Sequence, residues 1–177
     1  MPSNESVKTG LAVAEDKSKV LGLTVGKHTV EPGLYIPRAE AQSAPGLVFE
    51  GADPAATYLV MGIDIDAPFV TLPVLGPILH WVQPGLKPEL NKDGKSVLTA
   101  REPFVCNYIG PAPPPGSGPH RYCFFLYEQP AGFDGKAHAP PDGEKMGNWS
   151  RMRFSLDDWE KQAGLGKIIA ANYYTSN

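Results

Sequence analysis

The chain has 177 residues, of which 42% are hydrophobic and 20% charged, with a formal net charge of −3. That length suits one domain around a single core, and the composition excludes a largely disordered chain. With no basic run it also excludes a dedicated nucleic-acid binder, which needs clustered Lys and Arg against phosphates, so any phosphate site has to be local.

The 19 prolines and 19 glycines are spread along the chain, a pattern that favours many short strands joined by turns. The opening residues lack the apolar core of a secretion signal and no window is long enough to span a bilayer, so a cytoplasmic address is expected. Cys106 and Cys123 are the only cysteines. They sit among strand-like apolar residues without metal-ligand spacing and are expected to be buried free thiols.

Residues 4–15 read as a short amphipathic helix, capped by Ser3 or Asn4, with Val7, Leu11 and Ala14 at helical spacing and Gly10 against it. From Val20 the pattern turns to short β-type runs, at 20–25, 29–30, 34–36 and 47–49, punctuated by Gly and Pro, as in an antiparallel sheet. Residues 57–64 form the strongest strand before the centre of the chain, and it ends in a carboxylate. Asp64 and Asp66 stand two residues apart, so in an extended backbone both would face one side. The plain alternative is a pair of solvated turn aspartates. An apolar proline-containing loop then leads into the strand 78–82, which carries His80. The polar, turn-rich stretch 84–102 reads as an exposed excursion with a hairpin turn at Asp93-Gly94.

Residues 110–119 cannot form a regular element, because their prolines remove donors and fix φ while their glycines take the turns. This stiff loop delivers His120 to the mouth of the strand 121–128. It is either one wall of a preorganised pocket or a surface crossover with no ligand. The polar segment 130–148 carries no assigned chemistry. Ser155 and Asp158 make a capping-box-like start to a helix that Gly164 closes, and residues 168–174 form a last extended segment.

Asp64 and Asp66, His80, and His120 with Tyr122 thus recur at strand ends beside proline-rich loops. Imidazoles held by a carboxylate are biased toward the charged form and can donate to phosphate oxygens. Aspartates facing phosphate would repel it, so their task is to orient the histidines or to meet a cationic part of a zwitterion such as phosphoethanolamine. A metal site lacks His-x-x-x-His and Cys-x-x-Cys spacing, and the serine-hydrolase and phosphate-loop motifs are missing. An enzyme is not expected, and no cofactor or metal is called for.

The run Asp64-x-Asp66-Ala67-Pro68, then Leu79-His80-Trp81, then Gly110-Pro111-x-Pro113-Pro114-x-Gly116-x-Gly118-x-His120-Arg121-Tyr122 and Leu126-Tyr127-Glu128-Gln129 resembles the phosphatidylethanolamine-binding protein family. The match extends from about Val20 to Gly164-Leu165-Gly166. The resemblance implies a single mostly β domain over 1–177, with a large antiparallel central sheet, a smaller packed sheet and a few peripheral short helices. It also implies a small anion pocket lined by Asp64, Asp66, Ala67, Pro68, His80, Pro111, Ala112, Pro113, His120 and Tyr122. His80 and His120 would be the anion donors, Asp64 would orient them, and Tyr122 would stand at the rim. The implied partner is a phosphate-containing small molecule or phospholipid head group, with no nucleic acid and at most peripheral membrane contact. Some members of the family instead inhibit a serine peptidase of the carboxypeptidase Y kind or a protein kinase, and that is the alternative function. The sequence departs from the family pattern at Ile65, which replaces a proline, and at Phe69-Val70, which replace a polar pair. Leu75-Gly76-Pro77-Ile78 make the entrance more apolar still. The family's C-terminal helix is at most very short beyond Tyr174, so a more open mouth is expected.

Overall fold

The computed structural model describes residues 4–177; the cap expected at Ser3 lies outside them. Helix α1, Glu5–Glu15, precedes the strands β1 (Gly22–Val25), β2 (His28–Thr29), β3 (Leu34–Tyr35), β4 (Gly46–Val48) and β5 (Tyr58–Asp64). β6 (Ile78–Leu90), β7 (Ser96–Ala100) and β8 (His120–Glu128) follow, then helices α2 (Asn148–Arg151) and α3 (Leu156–Ala163) and the last strand β9 (Ala170–Ser176). No helix among the described residues is long and apolar enough to cross a membrane.

As expected, a large, mostly antiparallel sheet carries a smaller part, β2-β1-β4, packed over it, and hydrogen bonds join the two into the continuous nine-stranded order β2-β1-β4-β7-β6-β5-β8-β9-β3. β7 joins the two parts by pairing with both β4 and β6. The pairing is antiparallel except at one edge, where β3 runs parallel to β9. Both edge strands have two residues, which leaves little open edge for pairing with another chain.

Alternation along the strands builds a core on each face. Tyr58, Val60, Tyr122, Phe124 and Leu126 pack with Leu23 and Leu47, so the β1 and β4 side folds over this face. Leu59, Met61, Ile63, Cys123, Phe125 and Tyr127 face the other way and meet Val7 and Ala14 of α1 and Leu156 of α3. Gly10, which counts against a helix by propensity, lies where a Cβ would come within 2.4 Å of the Phe125 ring. The glycine lets α1 approach the sheet, and the buried contacts outweigh its propensity cost of about 1 kcal/mol. Ser155 caps α3 through the backbone N–H of Asp158, and Gly164 ends it at φ 64°, as expected.

The stretch 84–102 is not a loose excursion. β6 continues through it to Leu90 and pairs with β7 as a hairpin. Pro84 and Gly85 sit where the register of β6 against β5 slips between Gln83 and Leu86, so the bulge absorbs the proline and Gly85 takes φ +67°. Pro88 lies beyond the end of β5, where its missing N–H interrupts no ladder on that side. Cys106 and Cys123 are buried and free.

Candidate functional site

The end of β5 and the start of β8 lie side by side, with Asp64 opposite Tyr122. That register brings the Asp64 carboxylate to His120: Nδ1 donates to Oδ2 over 2.8 Å, and both side chains are buried. The other Asp64 oxygen accepts the backbone N–H of Asp66 at 2.9 Å. Asp66 hydrogen-bonds elsewhere. It accepts the backbone N–H, Nε and Nη2 of Arg121 at 2.9, 2.8 and 2.7 Å. Consecutive residues of a strand point to opposite faces, so carboxylates that serve His120 and Arg121 lie on opposite sides of β8. The chain leaves the strand after Asp64, and the two-residue alternation that would have put both carboxylates on one face ends there.

His80, the third residue of β6, is held by a backbone carbonyl instead of by Asp64. Its Nδ1 lies 2.7 Å from the Ile109 oxygen. A carbonyl only accepts, so Nδ1 carries the proton, and in the neutral ring Nε2 is left as an acceptor. The Ile109 N–H donates in return to the His80 carbonyl at 3.0 Å, which ties the proline-rich loop to β6. Tyr122 presents its ring to the edge of His80, with centroids 5.1 Å apart at 80°, and stacks on Tyr174. At 2% exposure it supports the site from the core and does not stand at the rim. Pro111 is also buried, and its carbonyl accepts from the Gln42 side chain at 3.0 Å.

A group that sequence patterns did not single out completes the arrangement. Arg151, at the end of α2, is 1% exposed. Its Nε donates to the Met146 carbonyl at 3.0 Å, Nη1 to the carbonyls of Leu79 and Asn107 at 3.1 Å each, and Nη2 to Asn107 Oδ1 at 2.7 Å. Its charge meets no carboxylate among the described residues. The acceptors lie up to 72 residues away in sequence, so no local spacing marks this arginine; only an Arg just ahead of a helix start was there to be seen.

These groups border a cavity of about 410 Å³. Asp64, His80, His120, Asn148 and Arg151 supply its polar wall, and Ala67, Pro68, Ala112 and Pro113 its narrow sides. Leu75, Ile78, Ile109 and Met152 add apolar surface, and Asp66, Pro111 and Tyr122 take no part in the lining. A larger cavity of about 540 Å³ lies between Phe104, Phe133 and residues 139–143. Its charged residues Glu102, Asp134, Lys136 and Asp142 are all solvent-exposed, so the chemistry concentrates in the smaller one. No three His, Cys, Asp or Glu side chains among the described residues come together to hold a metal.

The two histidines are tuned in opposite directions. Burial works against the charged form of His120, but the hydrogen bond and charge of Asp64, helped by Asp66 and the Pro68 carbonyl, outweigh it and raise its pKa above 6.5. His80 is lowered below 6.5 by burial, only partly offset by the Ile109 carbonyl and Asp64. His120 Nε2 is buried without a hydrogen-bond partner among the described residues; the Pro68 carbonyl favours its charge without closing a bond. An unsatisfied donor costs about 1–3 kcal/mol that a ligand oxygen can return. The cavity therefore offers an imidazole biased toward its charged form and a fixed guanidinium beside an imidazole biased toward its neutral, accepting form. That set suits an anion that also carries a donor.

Comparison with known proteins places this geometry in context. The profile described as phosphatidylethanolamine-binding protein matches residues 26–175. An uncharacterised protein of Saccharomyces cerevisiae is 27% identical over 155 residues, 85% of this chain and 77% of that one. Carboxypeptidase Y inhibitor of the same yeast is 34% identical over 86 residues, 49% of this chain and 36% of the inhibitor. Phomoidride biosynthesis cluster protein N of Talaromyces stipitatus is 34% identical over 101 residues, 55% of this chain and 48% of that one. Among solved structures, carboxypeptidase Y inhibitor complexed with its cognate proteinase is similar at a TM-score of 0.72 and 26% identity, over 98% of this chain and 93% of that one. The phosphatidylethanolamine-binding protein of Plasmodium vivax shares the fold, at a TM-score of 0.68 and 19% identity over 99% of this chain and 98% of that one.

Proposed function

Because the chain belongs to the phosphatidylethanolamine-binding protein family, we propose that it is a non-enzymatic binding module whose small cavity takes a phosphate-bearing head group or a phosphorylated partner, with a regulatory role. The observation that carries this reading is the unpartnered Nε2 of a His120 that Asp64 holds toward its charged form, on the wall of a cavity that also carries Arg151. A phosphate oxygen accepts from His120. The ammonium of phosphoethanolamine, or the hydroxyl of a singly protonated phosphate, donates to His80 Nε2.

Calorimetric titration with phosphoethanolamine in phosphate-free buffer near pH 6.5 tests the reading. Saturable binding that His120→Ala abolishes supports it, and equal heats from wild type and variant contradict it. Likeness to carboxypeptidase Y inhibitor over nearly the whole chain favours a second reading, inhibition of a serine peptidase through the protein surface. That reading expects carboxypeptidase Y to be inhibited equally by wild type and by His120→Ala.

A further inference from the structure

Seven large hydrophobic side chains are exposed among the described residues, and five of them, Phe69, Val70, Leu72, Val74 and Trp149, belong to the segments 67–78 and 148–152, whose Pro68, Leu75, Ile78, Asn148 and Met152 line the 410 Å³ cavity. They are 39%, 45%, 57%, 48% and 87% exposed. Four belong to one loop, which is folded by its own hydrogen bonds from Leu72 N–H to the Phe69 carbonyl at 2.9 Å and from Val74 N–H to the Leu72 carbonyl at 2.8 Å. The loop is fastened to the segment that carries Trp149. Arg153 N–H donates to the Leu75 carbonyl at 3.0 Å, Arg153 Nε to the Val74 carbonyl at 3.2 Å and Phe154 N–H to the Pro77 carbonyl at 2.9 Å. The apolar groups therefore form one built lip and are not scattered single residues.

The charge around this lip is as uneven as the hydrophobicity. Residues 67–79 and the facing loop 109–119 contain no charged side chain, and residues 145–155 contain Lys145, Arg151 and Arg153 with no acid. The chain as a whole carries a net charge of −3, so its surplus of acids lies on other surfaces.

We infer that this lip docks on a phospholipid bilayer, so that the head group entering the cavity is presented by a membrane rather than by a free small molecule; the inference rests on the head-group reading above. Phe69, Leu72 and Val74 would enter the boundary between head groups and acyl chains, and Trp149 would sit at head-group level, where its ring meets apolar chains and its N–H meets water. Lys145 and Arg153 would face the phosphate layer. A projecting uncharged loop beside an anion site fits a fluid interface better than a groove shaped for one peptide. The contact is reversible, because three or four side chains anchor far less strongly than a spanning helix.

The test compares vesicles with soluble head group. Wild-type protein should co-sediment with vesicles of phosphatidylcholine and phosphatidylethanolamine, and bromine on the acyl chains should quench a fluorescence component that Trp149→Phe removes. The triple variant Phe69→Ser, Leu72→Ser, Val74→Ser changes exposed positions that take no part in the cavity lining. It should lose vesicle affinity on the order of a hundred-fold while binding soluble phosphoethanolamine as wild type does. Soluble binding without vesicle binding, or vesicle binding that survives the triple change, overturns the inference while leaving the head-group reading in place. Loss of self-association in the triple variant, with no vesicle binding in either protein, would make a second copy the occupant and overturn it too. Absence of both soluble and vesicle binding in wild type would remove the head-group reading and this inference together.

Discussion

On the floor of the cavity the charged groups are paired with other parts of the protein, whereas on its lip large apolar side chains remain 39% to 87% exposed. Asp64 meets His120, Arg151 meets carbonyls on β6 and the loop that follows β7, and Asp66 and Arg121 pair outside the lining. Phe69, Leu72, Val74 and Trp149 stand in solvent. Buried polar contacts are thus concentrated in the floor, and changes at the exposed lip are expected to leave the fold intact. A family can keep one and vary the other. That is where this chain differs from the pattern it resembles, with Phe69-Val70 in place of a polar pair.

Substitutions should divide along this line. The largest effect is expected at Arg151, which joins α2 to β6: Arg151→Met leaves several buried carbonyls without a donor and should cost about 3 kcal/mol of unfolding free energy in urea. Asp64→Asn comes next, at about 2 kcal/mol measured near pH 5.5. Because the folded His120 has a raised pKa, its contribution is fully present below the ordinary histidine value of 6.5. It is lost as pH rises through the higher folded value, so the gap between wild type and Asp64→Asn should narrow in alkaline buffer. A gap that widens with pH would break the assignment.

Asp66→Asn should be milder, about 1 kcal/mol, because the Arg121 side chain is 42% exposed and can turn to water when its carboxylate partner is lost. The smallest effect belongs to the lip. The triple serine variant should unfold within about 0.5 kcal/mol of wild type. A large loss of stability there would erase the contrast from which the membrane-docking inference starts.

Much of the fold was legible because it rests on local periodicity. The continuous apolar run of β-formers in 57–64 and the strand-like run 121–128 marked β5 and β8, and Ser155 and Gly164 marked the ends of α3. What was not legible depended on partners distant in sequence. Gly10 looks like a helix breaker until Phe125 is placed beside it, and Pro84 looks like the end of a strand until β5 supplies a register to bulge against. At the site, spacing singled out Asp64, His80 and His120, and the structure brings the three to one cavity wall. The same spacing put Asp66 on the wrong face, because two-residue alternation applies only while the chain stays extended. Tyr122 and Pro111 carry family motifs but act behind the wall. Arg151 gave no signal at all, since its acceptors come from β6, from Asn107 and from Met146.

The central claim is that a phosphate group is received by a charged His120 beside a neutral His80. Nitrogen-15 NMR of the four histidines, titrated with pH in the absence and presence of phosphoethanolamine, addresses it most directly. His120 should titrate above 6.5 and His80 below it, and the ligand should shift the His120 Nε2 resonance and raise its pKa further while leaving His28 and His138 unmoved. Contradiction would be His120 titrating below His80, or a ligand response confined to His28 and His138, because the anion would then be binding elsewhere on the surface.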